Sequence, residues 1–109
     1  MDWIQLTELS QLQTIIKESE SGSIAIFKHS TSCGISRMVL KGFEKDAKNQ
    51  DISAVKLYFL DLLRYRSISN EIANLFDVVH ESPQLLVIKN GAVKHHSSHS
   101  SISSSVLSE

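Results

Sequence analysis

The sequence predicts an α/β fold, a mixed central sheet with helices on both faces, in the order βαβαβαββα. Three observations carry this. Short apolar runs alternate along the chain with segments whose apolar residues recur at helical spacing. Strands separated by helices need long right-handed crossovers and are expected to be parallel. Near the end, Asn90-Gly91 joins two strand-like runs and is the strongest two-residue hairpin signal, so the last pair is expected to be antiparallel.

The elements follow in order. Trp3 to Leu6 is short and partly apolar, a first strand. Thr7 is placed to cap a helix carrying Leu9, Leu12, Ile15 and Ile16 on one face. Ser19 to Ser23 ends it, with Gly22 at a C′ or turn position. Ile24-Ala25-Ile26-Phe27 is continuously apolar, as a strand covered on both faces should be. A second helix with Ile35, Met38, Val39, Gly42 and Phe43 runs to about Lys48, and Asn49 to Asp51 form a loop. Val55 to Leu60 is a third strand, and Asp61 to Ser67 a charged connector. Ile68, Ile72, Leu75 and Phe76 line a third helix. Glu81-Ser82-Pro83-Gln84 holds the sole proline and leads into the strand Leu85 to Ile88; Ala92 to His96 follows the hairpin. The serine-rich tail from Ser97 to Glu109 has Ile102, Val106 and Leu107 as anchors and reads as a weak last helix.

A chain of 109 residues fits one domain, 1–109, with a core that needs no disulfide or metal staple. A net charge of −1 argues against non-specific nucleic-acid binding and against a polybasic membrane contact. No apolar stretch approaches the roughly 20 residues that span a bilayer. The N-terminus has neither a basic n-region nor an apolar h-region, so no secretory signal is expected. One cysteine leaves no disulfide framework, which suits a reducing cytoplasm.

That cysteine is the main functional candidate. Cys33 stands in Ser30-Thr31-Ser32-Cys33-Gly34-Ile35-Ser36, between the second strand and the second helix. A helix's first turn has unpaired N–H groups and the positive end of its dipole, which favour a thiolate. A thiolate attacks disulfides and binds metals. Ser36, not a second cysteine, stands three residues on, so exchange must use a thiol from another molecule. Ser36 is either placed to donate a hydrogen bond to the thiolate from one turn away or is an ordinary first-turn serine that satisfies the backbone. Lys28, His29 and Arg37 are candidates to stabilise it, against the plainer reading of each as a solvated or hydrogen-bonded side chain. His80, His95, His96 and His99 invite a metal reading, but neighbours on a strand point to opposite faces, and a polar, serine-flanked edge is the default.

The element order, Cys33-Gly34-Ile35-Ser36 opening the second helix, and Pro83 before the fourth strand resemble the thioredoxin fold over nearly the whole chain. Within it, Thr31-Ser32-Cys33-Gly34-Ile35-Ser36, the Trp3 start and the small size are most similar to the monothiol bacilliredoxins. Members of that family often carry proline where Gly34 stands, which makes this helix start less rigid. The resemblance implies a cis Ser82–Pro83 bond facing Cys33, with the Ser82 backbone free to pair a cysteinyl ligand as one more strand. It implies that Cys33 takes bacillithiol from S-bacillithiolated client proteins and that a second thiol, either a low-molecular-weight thiol or that of another redoxin, releases it. It implies no bound cofactor, with bacillithiol as the co-substrate. Cys33 and Ser36 are the catalytic candidates, and Lys28, Thr31, Gly34, Arg37, Ser82 and Pro83 the substrate-binding ones. Arg64 and Arg66 are cations for the malate carboxylates of bacillithiol, or merely solvated. Two other readings stand. Cys33-Gly34-Ile35-Ser36 differs by one residue from the Cys-Gly-Phe-Ser of monothiol glutaredoxins, which implies an iron–sulfur module built from two copies and two outside thiols. The third reading is an interaction protein with an inert thiol.

Overall fold

The computed structural model describes residues 1–108; Glu109, the end of the expected tail, lies outside them. The elements are β1 (Trp3–Gln5), α1 (Gln11–Glu18), β2 (Ile24–His29), α2 (Gly34–Ala47), β3 (Lys56–Asp61), α3 (Arg66–Phe76), β4 (Gln84–Lys89) and β5 (Ala92–Ser98). They form one five-stranded sheet in the order β1-β3-β2-β4-β5. β1, β3 and β2 are parallel, and β4 is antiparallel to both β2 and β5.

The apolar run of β2 explains its central place. Ile24 and Ile26 face a core built with Leu12 and Ile15 of α1 and Ile68, Ile72 and Phe76 of α3. Ala25 and Phe27 face a second core with Phe43 of α2 and Leu107 of the tail. Strand alternation splits one continuous apolar run between two helix layers. Trp3 closes the second core from the sheet edge. Its ring lies 5.9 Å from that of Phe43 and 5.6 Å from that of Phe59, and its Nε1–H donates to Glu44 Oε2 at 2.8 Å.

At Asn90-Gly91 both residues have left-handed backbone, φ 52° and 74°, the conformation a type I′ hairpin requires. The turn is tied down from α1: Asn90 N–H donates to Ser19 O, and Gly91 N–H to Ser19 Oγ at 2.8 Å.

Four expectations are corrected. β4 follows a helix yet runs antiparallel to β2. The chain leaves the sheet at Asp61, paired with His29, and re-enters at Gln84, paired with Lys28, so it returns at the end from which it left. Thr7 does not cap α1, which starts at Gln11; instead the Gln11 side chain accepts from Thr7 and Glu8 N–H. Leu75 is exposed, so the buried face of α3 is Ile68, Ile72 and Phe76. The tail forms two 3-10 turns, His99–Ser101 and Ser104–Ser108, rather than an α-helix. With serine at most positions, side-chain hydroxyls compete for backbone groups, as where Ser103 Oγ accepts from Ser105 N–H.

Candidate active site

β2 ends at His29, a four-residue loop follows, and α2 begins at Gly34. Cys33 is the N-cap of α2, in extended backbone, and it is half-exposed. Its N–H donates to Ser30 O at 3.2 Å, and its carbonyl accepts from Arg37 N–H at 3.1 Å, the first bond of the helix. No side chain caps this end. The amides of Gly34, Ile35 and Ser36 therefore open α2 with no earlier carbonyl to take them.

The Arg37 guanidinium folds back over the loop. Nη1 donates to Thr31 O at 2.9 Å, and a Cβ on Gly34 would meet Nη2 at 3.7 Å. Thr31, Gly34 and Arg37 are all exposed and sit together beside the thiol. Ser30 Oγ and Ser32 Oγ share a hydrogen bond of 3.3 Å that braces the same loop.

Of its two readings, Ser36 takes that of a serine satisfying the backbone. It is fully buried. Its Oγ accepts from Ser30 N–H at 3.1 Å and shares a 2.8 Å hydrogen bond with His29 Nδ1. The expected bond to the Cys33 sulfur is not made, because the hydroxyl points into the protein and joins the helix's first turn to the end of β2. His29 was expected at an open strand end. It is only 5 % exposed, and its ring lies 5.4 Å from that of Phe59. Burial holds this imidazole below its ordinary range. Arg37 acts in the same direction, whereas Asp61 and Glu44 act against it.

Lys28 is the second correction. As a substrate-binding or thiolate-stabilising cation it would need an accessible ammonium, yet it is 0 % exposed. Alternation along β2 turns it to the face opposite His29. Its Nζ donates to Ser69 O at 3.5 Å and Gln84 Oε1 at 3.3 Å. Burial lowers its pKa from 10.5 to about 8. Gln84 Nε2 in turn donates to Val79 O at 3.0 Å, tethering the loop before Pro83.

Ser82–Pro83 is cis. Since Lys28 pairs with Gln84, the antiparallel register carries Ser82 to the level of Ser30, at the start of the cysteine loop. Ser82 Oγ is buried with no partner, and Pro83 O accepts from His99 N–H at 3.1 Å. Arg64 and Arg66 are exposed, and neither forms an ion pair among the described residues. Arg64 lies 5.4 Å over the Tyr65 ring, and Arg66 opens α3 rather than ending a loop. No three metal-ligating side chains converge among the described residues. No helix there is long and apolar enough to cross a membrane.

Sequence reasoning missed Gln84 as the partner of Lys28 and His29 as the partner of Ser36. The signal was present, since extending the apolar run of β2 by two residues puts Lys28 and His29 on opposite interior faces.

Among solved structures, a putative oxidoreductase with a thioredoxin fold is similar at 31% identity and TM-score 0.80, covering 95% of this chain and 88% of its own. Fasciola hepatica thioredoxin matches at 21% identity and TM-score 0.69, over 87% of this chain and 85% of its own. Malassezia sympodialis thioredoxin matches at 20% and 0.68, over 94% and 82%. The fold is thioredoxin-like, and the lone thiol stands where its second helix begins. The model of the monothiol bacilliredoxin BrxC family matches residues 4–107, so the chain belongs to the monothiol bacilliredoxin family, thiol redox proteins on a thioredoxin fold.

Proposed function

We propose that the protein is a cytoplasmic monothiol oxidoreductase that removes bacillithiol from S-bacillithiolated client proteins. The observation that carries this is a single half-exposed thiol at the N-cap of α2, in a chain of the bacilliredoxin family. The Cys33 thiolate attacks the bacillithiol sulfur of the client mixed disulfide. One S–S bond forms as the other breaks, and the client leaves as a thiolate that takes a proton from water. A second bacillithiol thiolate then attacks the bacillithiol sulfur on Cys33. Bacillithiol disulfide leaves, and the Cys33 thiolate is restored.

Thr31, Gly34 and Arg37 supply the walls and the exposed cation beside the sulfur. Ser82 and Pro83 form the facing wall, where the Ser82 backbone pairs an extended ligand.

The test is intact mass after mixing reduced protein with a client carrying a bacillithiol mixed disulfide. The same client carrying glutathione and a Cys33→Ser protein run beside it. Gain of one bacillithiol mass on Cys33, faster than gain of glutathione, is expected. Transfer from neither client would sink the proposal.

A further inference from the structure

We propose that the outward face of α2 docks an acidic polypeptide segment flanking the disulfide that Cys33 attacks; this rests on the reading of Cys33 as an exchange thiol. Arg37, Lys41 and Lys45 of α2 and Lys48 at its C-cap are all exposed. At 3.6 residues per turn they fall within an arc of about 80° and run about 16 Å along the axis. The sole ion pair among the described residues is Lys56–Glu18, so none of these four cations pairs with a carboxylate among them. Glu44, about 20° outside the arc and lining the same surface, accepts from Trp3 Nε1 and ion-pairs with none of the four, and Asp46 lies well outside the arc.

Beside the cations runs an apolar ledge that starts at the cysteine. Ile35 is 55 % and Met38 68 % exposed. Gly42 follows, and a Cβ built there meets nothing within 4 Å. Met38, Lys41, Gly42, Glu44, Lys45 and Lys48 together line a shallow groove. Like charges four residues apart repel on a helix, and a glycine in mid-helix weakens it. Nothing inside the fold uses either feature. Both suit an outside chain: the glycine admits close approach, and the cations match carboxylates. No aromatic side chain lines the groove, so it lacks the stacking platform that single-stranded nucleic acid uses. Met38 offers instead an adaptable apolar contact for peptide side chains.

The test compares two short synthetic peptides, each with one cysteine blocked by bacillithiol and flanked either by glutamates or by lysines. Exchange with 2-hydroxyethyl disulfide, uncharged and small, reports Cys33 by itself. The acidic peptide is expected to react about tenfold faster than the basic one at low salt. The preference should fade near 1 M salt, where screening acts within about 3 Å. It should reverse in Lys41→Glu/Lys45→Glu. Gly42→Gln should slow the acidic peptide severalfold relative to 2-hydroxyethyl disulfide. Equal rates for the two peptides, or a preference that survives charge reversal, would overturn the docking surface. Failure to react even with 2-hydroxyethyl disulfide would instead sink the exchange reading. The surface is then tested without chemistry, by NMR of Cys33→Ser protein with a cysteine-free acidic peptide. Shifted amides at Lys41, Gly42 and Lys45 support it, and unshifted ones refute it.

Discussion

Lys28 offers a quantitative test of the interior. Its ammonium is fully buried, and its partners are a carbonyl and an amide oxygen, not a carboxylate. Burial lowers its pKa from 10.5 to about 8. At about 1.36 kcal/mol per tenfold change, keeping that proton in the folded state near neutral pH costs about 3 kcal/mol. The folded pKa lies below the unfolded one, so the unfolded chain binds more protons between pH 8 and 10.5. Stability therefore rises with pH through that window, and the cost is fully present below it. Lys28→Met keeps the side chain's length and removes the charge. It also leaves Gln84 Oε1 without its donor, at about 1–3 kcal/mol. The two changes oppose each other at neutral pH, and the clean signature is the slope. Between about pH 7 and 9.5 the parent protein should gain about 2 kcal/mol relative to Lys28→Met. Tyr58, raised by burial and by Glu18, titrates alike in both proteins and cancels. Urea denaturation followed by Trp3 fluorescence at several pH values measures the difference. Parallel pH dependence in the two proteins would show that the buried amine carries no such cost.

Two further outcomes follow from the same packing. Burial, as the largest cause, holds both His29 and His80 below 6.5, so each resists protonation when folded. Stability should be full above pH 6.5 and fall as pH drops below it, where the unfolded chain takes up the protons. A His29→Gln/His80→Gln protein should show a flatter fall in urea midpoint from pH 7 to pH 5, and an unchanged slope would contradict this. Ser36→Ala leaves Ser30 N–H and His29 Nδ1 buried without their partner and should cost about 1–3 kcal/mol in urea. Alkylation of its Cys33 by iodoacetamide should stay within a few-fold of the parent, and a loss of two orders of magnitude would return Ser36 to the thiol.

The parts of this fold legible in the sequence are those where one local rule suffices. Ile24 to Phe27 could be placed as a doubly covered strand because four successive apolar residues fit nothing exposed. Asn90-Gly91 could be placed because both residues tolerate left-handed backbone, which a type I′ turn demands. Cys33 could be set at a strand-to-helix junction because periodicity changes on either side of it. The illegible parts depend on contacts between distant segments. The direction of β4 is set by where the chain returns after Phe76, and no spacing rule within the strand records that. Thr7 has the chemistry of a cap, but Gln11 takes its backbone N–H and the helix starts later. Lys28 looks solvated when the strand is taken to end at Phe27. Only the alternation of β2, together with Gln84 56 residues away, shows that it is interior.

Ser36 carries the same lesson into the chemistry. From spacing alone, a serine one turn after a cysteine looks like a donor to its sulfur. A hydroxyl has one proton and two lone pairs, however, and here both Ser30 N–H and His29 Nδ1 engage it. Those bonds fix the first turn of α2 to β2, so the Cys33 backbone is set by the sheet rather than by the loop. The serine's part is positional: it holds the N-cap at the end of the helix where the amides of the first turn and Arg37 lie. A second cysteine in this buried place would lack the acceptor that Ser30 N–H requires, since a thiol accepts hydrogen bonds only weakly. In this chain the residue that stands where a second cysteine would close an internal disulfide also anchors the helix on which the single thiol sits.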